Sequence, residues 1–498
     1  MSGLRDRLLR MRGSAALRDE LRAGMPDPVE EHSPDNGIHN EQRHSGEQTE
    51  VLPEVFTPPA EQGGGEMIEE LPLEWAGLGV QLMQNSEGAF LLREVRYPAA
   101  HRHGLHGLDE LQQAACGLSH FRKPEDRPIK RSQRSRLLSS AAAAINSENK
   151  ASAAIDPPGI FQPVIIEPDK VLFLDLETTG LGVGTGNVPF MVGLAFSKDG
   201  LFFVEQMLIR HPAEERAMIA YLSEKLPDYT HLVTYNGRTF DWPVLHNRFI
   251  LNGFRHFTWE PTHIDLLHPS RSVWRNTLTS CKLSHVEEER LGITRTDDVP
   301  GSLAPALYFQ YLADGRPEPL LGVFLHNETD MLSLACLAIR FGHILNGELG
   351  STVALPVEHE EQLRTGLWLE KMGQTQYAEQ LFIQLAEDEN VSVKCLCLLA
   401  ERDKKCGNWT RAVVLWQKAV YAARHSDWPD WEAHIELAMY YEHKTKQLEE
   451  ALTLAETSLA LAQRRYSGLR LDAKRRSELE AIRKRMDRLR SKIRRHYG

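Results

Sequence analysis

Residues 171–186, VLFLDLETTGLGVGTG, decide the fold of this chain. Val171-Leu172-Phe173-Leu174 is a continuous apolar run of strand length, the mark of a buried strand. It ends in Asp175-Leu176-Glu177, and residues two apart on a strand share a face. Two carboxylates side by side repel, and the repulsion raises the pKa of one of them. A hard divalent cation with oxygen ligands removes that conflict; a sheet-end pair facing water is the plainer alternative. The glycine-rich loop that follows, 178–186, lacks the Gly-Lys-Ser/Thr ending of a nucleotide-binding loop, and a strand pattern rather than a helix comes next. Backbone that lets a substrate strand approach closely fits it better.

Outward from this stretch the pattern alternates. Residues 190–196 and 201–205 read as strands flanking Lys198-Asp199-Gly200, a hairpin turn. An amphipathic helix is expected over 214–226, a strand over 231–235, and a helix over 241–251 that starts near Pro243 and stops at Asn252-Gly253. Ser284 reads as the cap of a helix stopping at Gly292, and 327–345 as a long apolar helix. The sum is a mixed α/β sheet flanked by helices. Two further patches carry polar residues at element ends. Asp241 follows Tyr235-Asn236-Gly237-Arg238-Thr239-Phe240, where a helix cap would be an ordinary role for it. His326 and Asp330 lie four apart on a helix and so share a face, as many surface pairs do.

In this order, Asp175-x-Glu177-Thr-Thr-Gly, Asn236-Gly-x-x-Phe240-Asp241 and His326-x-x-x-Asp330 resemble the three motifs of the DEDD exonuclease superfamily. The likeness is closest to the YprB-like branch of predicted RNase H-like exonucleases, and it covers about residues 171–345. It implies an RNase H-like domain, expected over 161–347, that hydrolyses nucleic acid 3′→5′ and releases nucleoside monophosphates. It implies two Mg²⁺ or Mn²⁺ ions. Asp175 would bridge them, Glu177 and Asp330 would hold the water-activating ion, and Asp241 the other. His326 would take the proton of the water, its ordinary pKa lying near neutrality. Thr178, Thr179, Gly180, Asn236 and Phe240 would seat the terminal nucleotide. The third motif departs from better-known enzymes, which have His with four intervening residues or Tyr with three; His326 has three. A binding or adaptor protein that holds nucleic acid without cutting is the alternative.

Beyond residue 360 the pattern is helical and repetitive. Gly366, Gly373, Ala378 and Phe382 recur 34 residues later as Ala400, Gly407, Ala412 and Trp416, the tetratricopeptide period. A looser copy runs through Ala438, Tyr441 and Ala451. An all-α tetratricopeptide-like repeat domain is thus expected over 360–498, open to a protein partner. It ends in a basic segment from Arg464, where Leu479, Ile482, Met486, Leu489 and Ile493 keep helical spacing. The chain carries a formal charge of −11 over 498 residues, so any attraction for nucleic acid must be local.

Towards the N-terminus, Leu4, Leu8 and Met11 mark a short basic helix. Residues 22–66 have too few aliphatics to offset ordering entropy and are expected to be disordered. Residues 66–152 read as a small accessory region with a basic linker (122–136, then Ser/Ala-rich), and His101-Arg102-His103-Gly104-Leu105-His106 as a solvated loop without metal-ligand spacing. No CxxC pair occurs among Cys116, Cys281, Cys336, Cys395, Cys397 and Cys406, which fits reduced thiols in a cytoplasmic protein. There is neither a membrane-spanning run nor a secretory signal in the pattern.

Overall fold

The structure, a computed structural model, describes residues 54–55, 71–121, 166–180, 182, 184, 186–296, 298–423, 430–470 and 472–497. The expected N-terminal basic helix and the basic linker lie outside them. Of the segment expected to be disordered, Glu54–Val55 is described, as a two-residue strand.

An eight-stranded mixed sheet forms the centre. Its strands are β1 (Glu54–Val55), β2 (Val80–Asn85), β3 (Gly88–Pro98), β6 (Val171–Thr178), β7 (Pro189–Lys198), β8 (Leu201–Leu208), β9 (His231–Thr234) and β10 (Thr262–Asp265). The order is β1-β3-β8-β7-β6-β9-β10, with β2 against β3. Along β3-β8-β7-β6 each adjacent pair is antiparallel, whereas β6, β9 and β10 are mutually parallel. The β7–β8 hairpin turns at Asp199 and Gly200, both at positive φ (50° and 77°), the turn geometry that matches strand twist. Strands of the expected accessory region, β2 and β3, extend the same sheet: eight register pairs join β3 to β8.

Alternation along β6 sends its side chains to two cores. Val171 and Phe173 join one, Leu172, Leu174 and Leu176 the other. The helices of this region are α1 (Leu111–Leu118), α2 (Glu215–Lys225), α3 (Asp241–Leu251), α4 (Leu267–Trp274), α5 (Ala304–Asp314) and α6 (Leu320–Leu345). Helix α6 crosses the Phe173 face, and α2 and α3 cover the other. It begins seven residues before the expected start, and its apolar side is buried along most of its 26 residues. Ser284 is not a cap: the turn begins after Lys282, without a side-chain cap bond, and it passes into a π-helical stretch, Glu287–Leu291, that Gly292 ends at φ 65°.

The expected solvated loop at 101–106 is also corrected. It forms a small hairpin of β4 (Arg102–His103) and β5 (His106–Gly107). His106 is 3% exposed, and His103 Nε2 lies 2.9 Å from Ser333 Oγ on α6.

The C-terminal region is helical throughout: α7 (His359–Lys371), α8 (Thr375–Glu387), α9 (Val393–Cys406), α10 (Trp409–Ala423), α11 (Glu432–Tyr440), α12 (Leu448–Tyr466) and α13 (Ala473–Tyr497). Consecutive helices pack in pairs. From His359 to Val393, and from Thr375 to Trp409, is 34 residues in both cases. A Cβ on Gly366 would collide with the Phe382 ring, so the small residue is what lets α7 and α8 approach. This region shares a core with the sheet, and Trp274 Nε1 donates to Glu361 Oε1 at 2.8 Å. Among the described residues no helix is long and apolar enough to cross a membrane. All six cysteines are free.

Candidate active site

Strand β6 sets the first two carboxylates. Asp175 and Glu177 continue the face of Val171 and Phe173, the face that α6 crosses. The β6–β7 register shifts between Glu177 and Thr178, a bulge of the kind that re-aims strand ends beside functional sites. Opposite Asp175 on β7 is Gly193, where a Cβ would collide with the Asn327 amide. That gap lets Asn327 reach the sheet: its Nδ2 donates to Asp175 Oδ2 at 3.0 Å, and its Oδ1 accepts from Gln206 Nε2 at 2.9 Å.

Asp241 is the first residue of α3 and is 4% exposed. Phe240, not Asp241, occupies the cap position. The turn before it is held by Asp265 at the end of β10, which accepts from Asn236 N (2.8 Å), Arg238 N (3.1 Å) and Leu267 N (3.1 Å). Asn236 sits at φ 71°, and a side chain on Gly237 would strike Thr234. Both requirements explain the Asn-Gly sequence of this turn.

Helix α6 delivers His326 and Asp330 on one face, with His326 Nε2 3.7 Å from Asp330 Oδ2. His326 Nδ1 lies 2.8 and 3.0 Å from the two Asp298 oxygens. A carboxylate only accepts, so the two Asp298 contacts favour a proton on Nδ1 against the competing approach of Arg295 Nη1 at 3.1 Å, with Nε2 facing Asp330. Arg295 ties the surroundings together. It donates to both Glu287 oxygens (2.6 and 2.7 Å), to Asp298 Oδ2 (3.0 Å) and to Asp330 Oδ1. The intervening Glu328 points the other way, into a buried polar strip where it accepts from Arg93 and Tyr97 of β3. Arg93 in turn donates to Gln206 Oε1 at 2.7 Å. These bonds fix the rotation of α6 on the sheet, and with it the direction of Asp330.

The carboxylates crowd one another electrically. Burial pushes the Asp175 carboxyl up to about 7, with the negative charge of Asp330 adding to the effect. Glu177 is raised well above its ordinary range by burial and by Asp175, Asp330, Asp241 and Asp298, in that order. Asp241 is raised likewise, by burial and then Asp175. Arg295 on Asp330 is a cation at the margin of the set. An all-oxygen, strongly anionic, half-enclosed donor set is what hard divalent ions require, so the residues present fit Mg²⁺ or Mn²⁺.

The remaining expected residues lie around this group. The Thr178 hydroxyl is buried and donates to Gly180 O at 2.7 Å, and Thr179 Oγ1 accepts from Val188 N at 3.0 Å, so both shape the glycine loop. Asn236 is exposed, and its Oδ1 accepts from Thr239 Oγ1 at 2.8 Å; Phe240 is half-buried. Sequence reasoning missed Asp298, Arg295, Glu287, Asp265 and Asn327. Asn327 stands inside the His326–Asp330 motif and could have been found by asking which face follows His326; the others have no spacing signal.

Residues 172–341 match the profile of the RNase H superfamily. The chain is similar to an uncharacterized protein, YprB, from Bacillus subtilis (strain 168): 34% identity over 406 residues, covering 79% of this chain and 86% of that one. Superfamily membership supports a hydrolase of the nuclease type, with nucleic acid as substrate. The chain therefore belongs to the YprB family, and the stretch that matches the RNase H superfamily takes in β6–β10 and most of α6.

Proposed function

We propose that this protein is a divalent-metal-dependent exonuclease of the DEDD type that removes nucleotides from 3′ ends. The observation that supports this reading is the convergence of Asp175, Glu177, Asp241 and Asp330 from β6, α3 and α6, where burial first and then their mutual charge hold Asp175, Glu177 and Asp241 above the ordinary carboxylate range. Asp175, Glu177, Asp241 and Asp330 would hold two ions. When bound, Mg²⁺ or Mn²⁺ supplies charge neutralisation at the phosphate and acidifies a water. His326 Nε2 would serve as the proton acceptor, and Asp298, which meets Nδ1 at 2.8 Å, would act as its positioning residue. Asn327 holds Asp175 in orientation. Asn236, Phe240 and the 178–180 backbone line the approach for a terminal nucleotide, and Gly180 keeps that backbone accessible. The tetratricopeptide-like helical pairs and the basic α13 would hold the rest of the strand or a protein partner, since stacked helical pairs offer extended surfaces.

The test is purified protein with Mn²⁺ or Mg²⁺ and end-labelled single-stranded and duplex RNA and DNA. Stepwise release of mononucleotides from the 3′ end, abolished by EDTA and by Asp175→Asn, is expected. Internal cleavage would overturn the exonuclease assignment. Strand binding without cleavage, with all four acids intact, would make the protein a nucleic-acid-binding adaptor.

A further inference from the structure

The hairpin β4–β5 and the far end of α6 meet at a second cluster of metal-binding chemistry. His106 Nδ1 lies 2.8 Å and His343 Nε2 3.2 Å from the same oxygen, Oε2 of Glu110. One ligand atom from each of the three residues lies within 4.8 Å of the others. His343 is fully buried, His106 3% exposed and Glu110 partly covered. Close packing puts them there. Side chains on Gly117 and Gly342 would collide with the opposite helix, so α1 lies directly on α6 and brings the turn before it, with Glu110, against His343.

We infer that His106, Glu110 and His343 form a zinc site that staples the β4–β5 and α1 segment to α6. Two imidazoles and a carboxylate are a zinc donor set, and they leave a fourth position for water. Tetrahedral ligands at zinc's usual bond lengths stand about 3.3 Å apart, so the 2.8 and 3.2 Å separations need only a small expansion to admit the ion. The outer partners are present as well. Gly107 N donates to Glu110 Oε1 at 2.8 Å, which aims Oε2 at the two rings. Glu348 Oε2 lies 2.7 Å from His343 Nδ1, though too obliquely to satisfy it: that nitrogen has no hydrogen-bond partner. A slight turn of the ring toward the ion would make the carboxylate–imidazole–metal arrangement typical of zinc ligands. His106 Nε2 is also buried without a partner. Burial lowers the pKa of His106 against the opposing effect of Glu110, and a neutral ring is the form that binds metal. Two cations border the cluster, Arg102 with Nη1 3.9 Å from Glu110 Oε1 and the half-buried Arg340, which acts on His106. Arg102 is largely in solvent, and Arg340 interacts with Glu361 as well.

His343 follows Asp330 by thirteen residues on one helix, about 20 Å along its axis, so this ion would be independent of the proposed nuclease centre. Full-length wild type, Asp175→Asn and Glu110→Gln proteins are expressed with zinc, dialysed against Mg²⁺ buffer and assayed for bound metal by elemental analysis. One zinc per chain in wild type and in Asp175→Asn, and none in Glu110→Gln, is expected. X-ray absorption should show nitrogen and oxygen ligands only, two of them imidazole. Glu348→Gln, which spares the ligands, should weaken zinc affinity about tenfold and guards against a folding defect in Glu110→Gln. Zinc that disappears in Asp175→Asn, that persists in Glu110→Gln, or that is absent from folded wild type would overturn the proposal and leave a metal-free hydrogen-bonded clasp.

Discussion

Two sets of buried acids in this chain behave in opposite ways. In the sheet, Asp175, Glu177 and Asp241 face one another and are held above their ordinary range by burial and mutual repulsion. In the π-helical stretch Tyr441–Thr445 between α11 and α12, Glu442 is 1% exposed, yet its carboxyl is held down at about 2. Burial opposes its charge, but Arg488 and Lys492 of α13 outweigh burial through hydrogen bonds of 2.7–2.9 Å. The second acid is neutralised inside the fold and so serves the fold. The first set is left for a cation from outside, which is the electrostatic profile of a functional site.

The largest effect should come from removing a member of the first set. Asp175→Asn or Asp241→Asn should abolish metal-dependent release of mononucleotides while the protein stays folded by circular dichroism. Retained turnover in both would show that the uncompensated acids are not the metal cage. Next, His326→Ala should slow turnover about a hundredfold. Asp298→Asn should fall in the same direction and change the pH–rate profile, because the amide no longer selects the Nδ1–H tautomer. An Asp298→Asn enzyme with an unaltered rate and profile would remove Asp298 from the mechanism.

The contrast also has opposite signs in stability against pH. Asp175 titrates at 3.8 ordinarily and near 7 when folded, so between those values the folded chain binds more protons than the unfolded one. Metal-free stability should therefore fall as pH rises from about 4 to about 7, and Asp175→Asn should flatten that slope. Mg²⁺ should restore the melting temperature of wild type at neutral pH. Glu442 runs the other way: its contribution is complete above its ordinary 4.5 and is lost as pH falls towards 2. Thermal melts of chelated wild type, Asp175→Asn and Arg488→Gln across this range separate the two, and parallel curves would deny the contrast.

Legibility followed the range of each interaction. The core strand, the hairpin at Asp199-Gly200 and helix 241–251 are local patterns, and local periodicity exposed them. Asp175, Glu177, Asp241 and Asp330 stand out in the sequence because three short motifs come in a recognisable order. Asp298 does not, since nothing about Asp297-Asp298-Val299-Pro300 signals a histidine 28 residues on. Nor could Glu328 be told from Asp330 by spacing. Its partners Arg93 and Tyr97 are over 230 residues away on a strand that was expected to belong to an accessory region. His106 looked like part of a solvated loop for the same reason: His343 comes from the other end of the fold.

The smallest effect concerns the basic helix, and the structure changes how it must be tested. Deleting residues from Arg464 onward would remove α13 whole. That would take away the apolar row Leu479, Ile482, Met486 and Leu489, uncover Ala451, Ala455 and Ala462 of α12 that pack against it, and strip Glu442 of its cations, so a loss of activity would report unfolding. Arg483, Arg494 and Arg495 are exposed, and none of them belongs to the Glu442 group. Changing these three to Gln removes positive charge from the surface and spares the core. If they track the phosphates of a long strand, apparent KM for long substrates should rise. The salt dependence of log KM should then flatten by up to about 0.7 for each phosphate of a single strand that is no longer neutralised. Cleavage of a short oligonucleotide, which reaches only the carboxylate site, should stay unchanged. Arg488→Gln is the matching control: it should lower the melting temperature and leave the salt slope alone. Equal salt slopes for wild type and the triple variant would assign α13 wholly to the second kind of charge in this molecule, the kind that is neutralised within the fold. A protein would then be the better candidate for what the helical pairs hold.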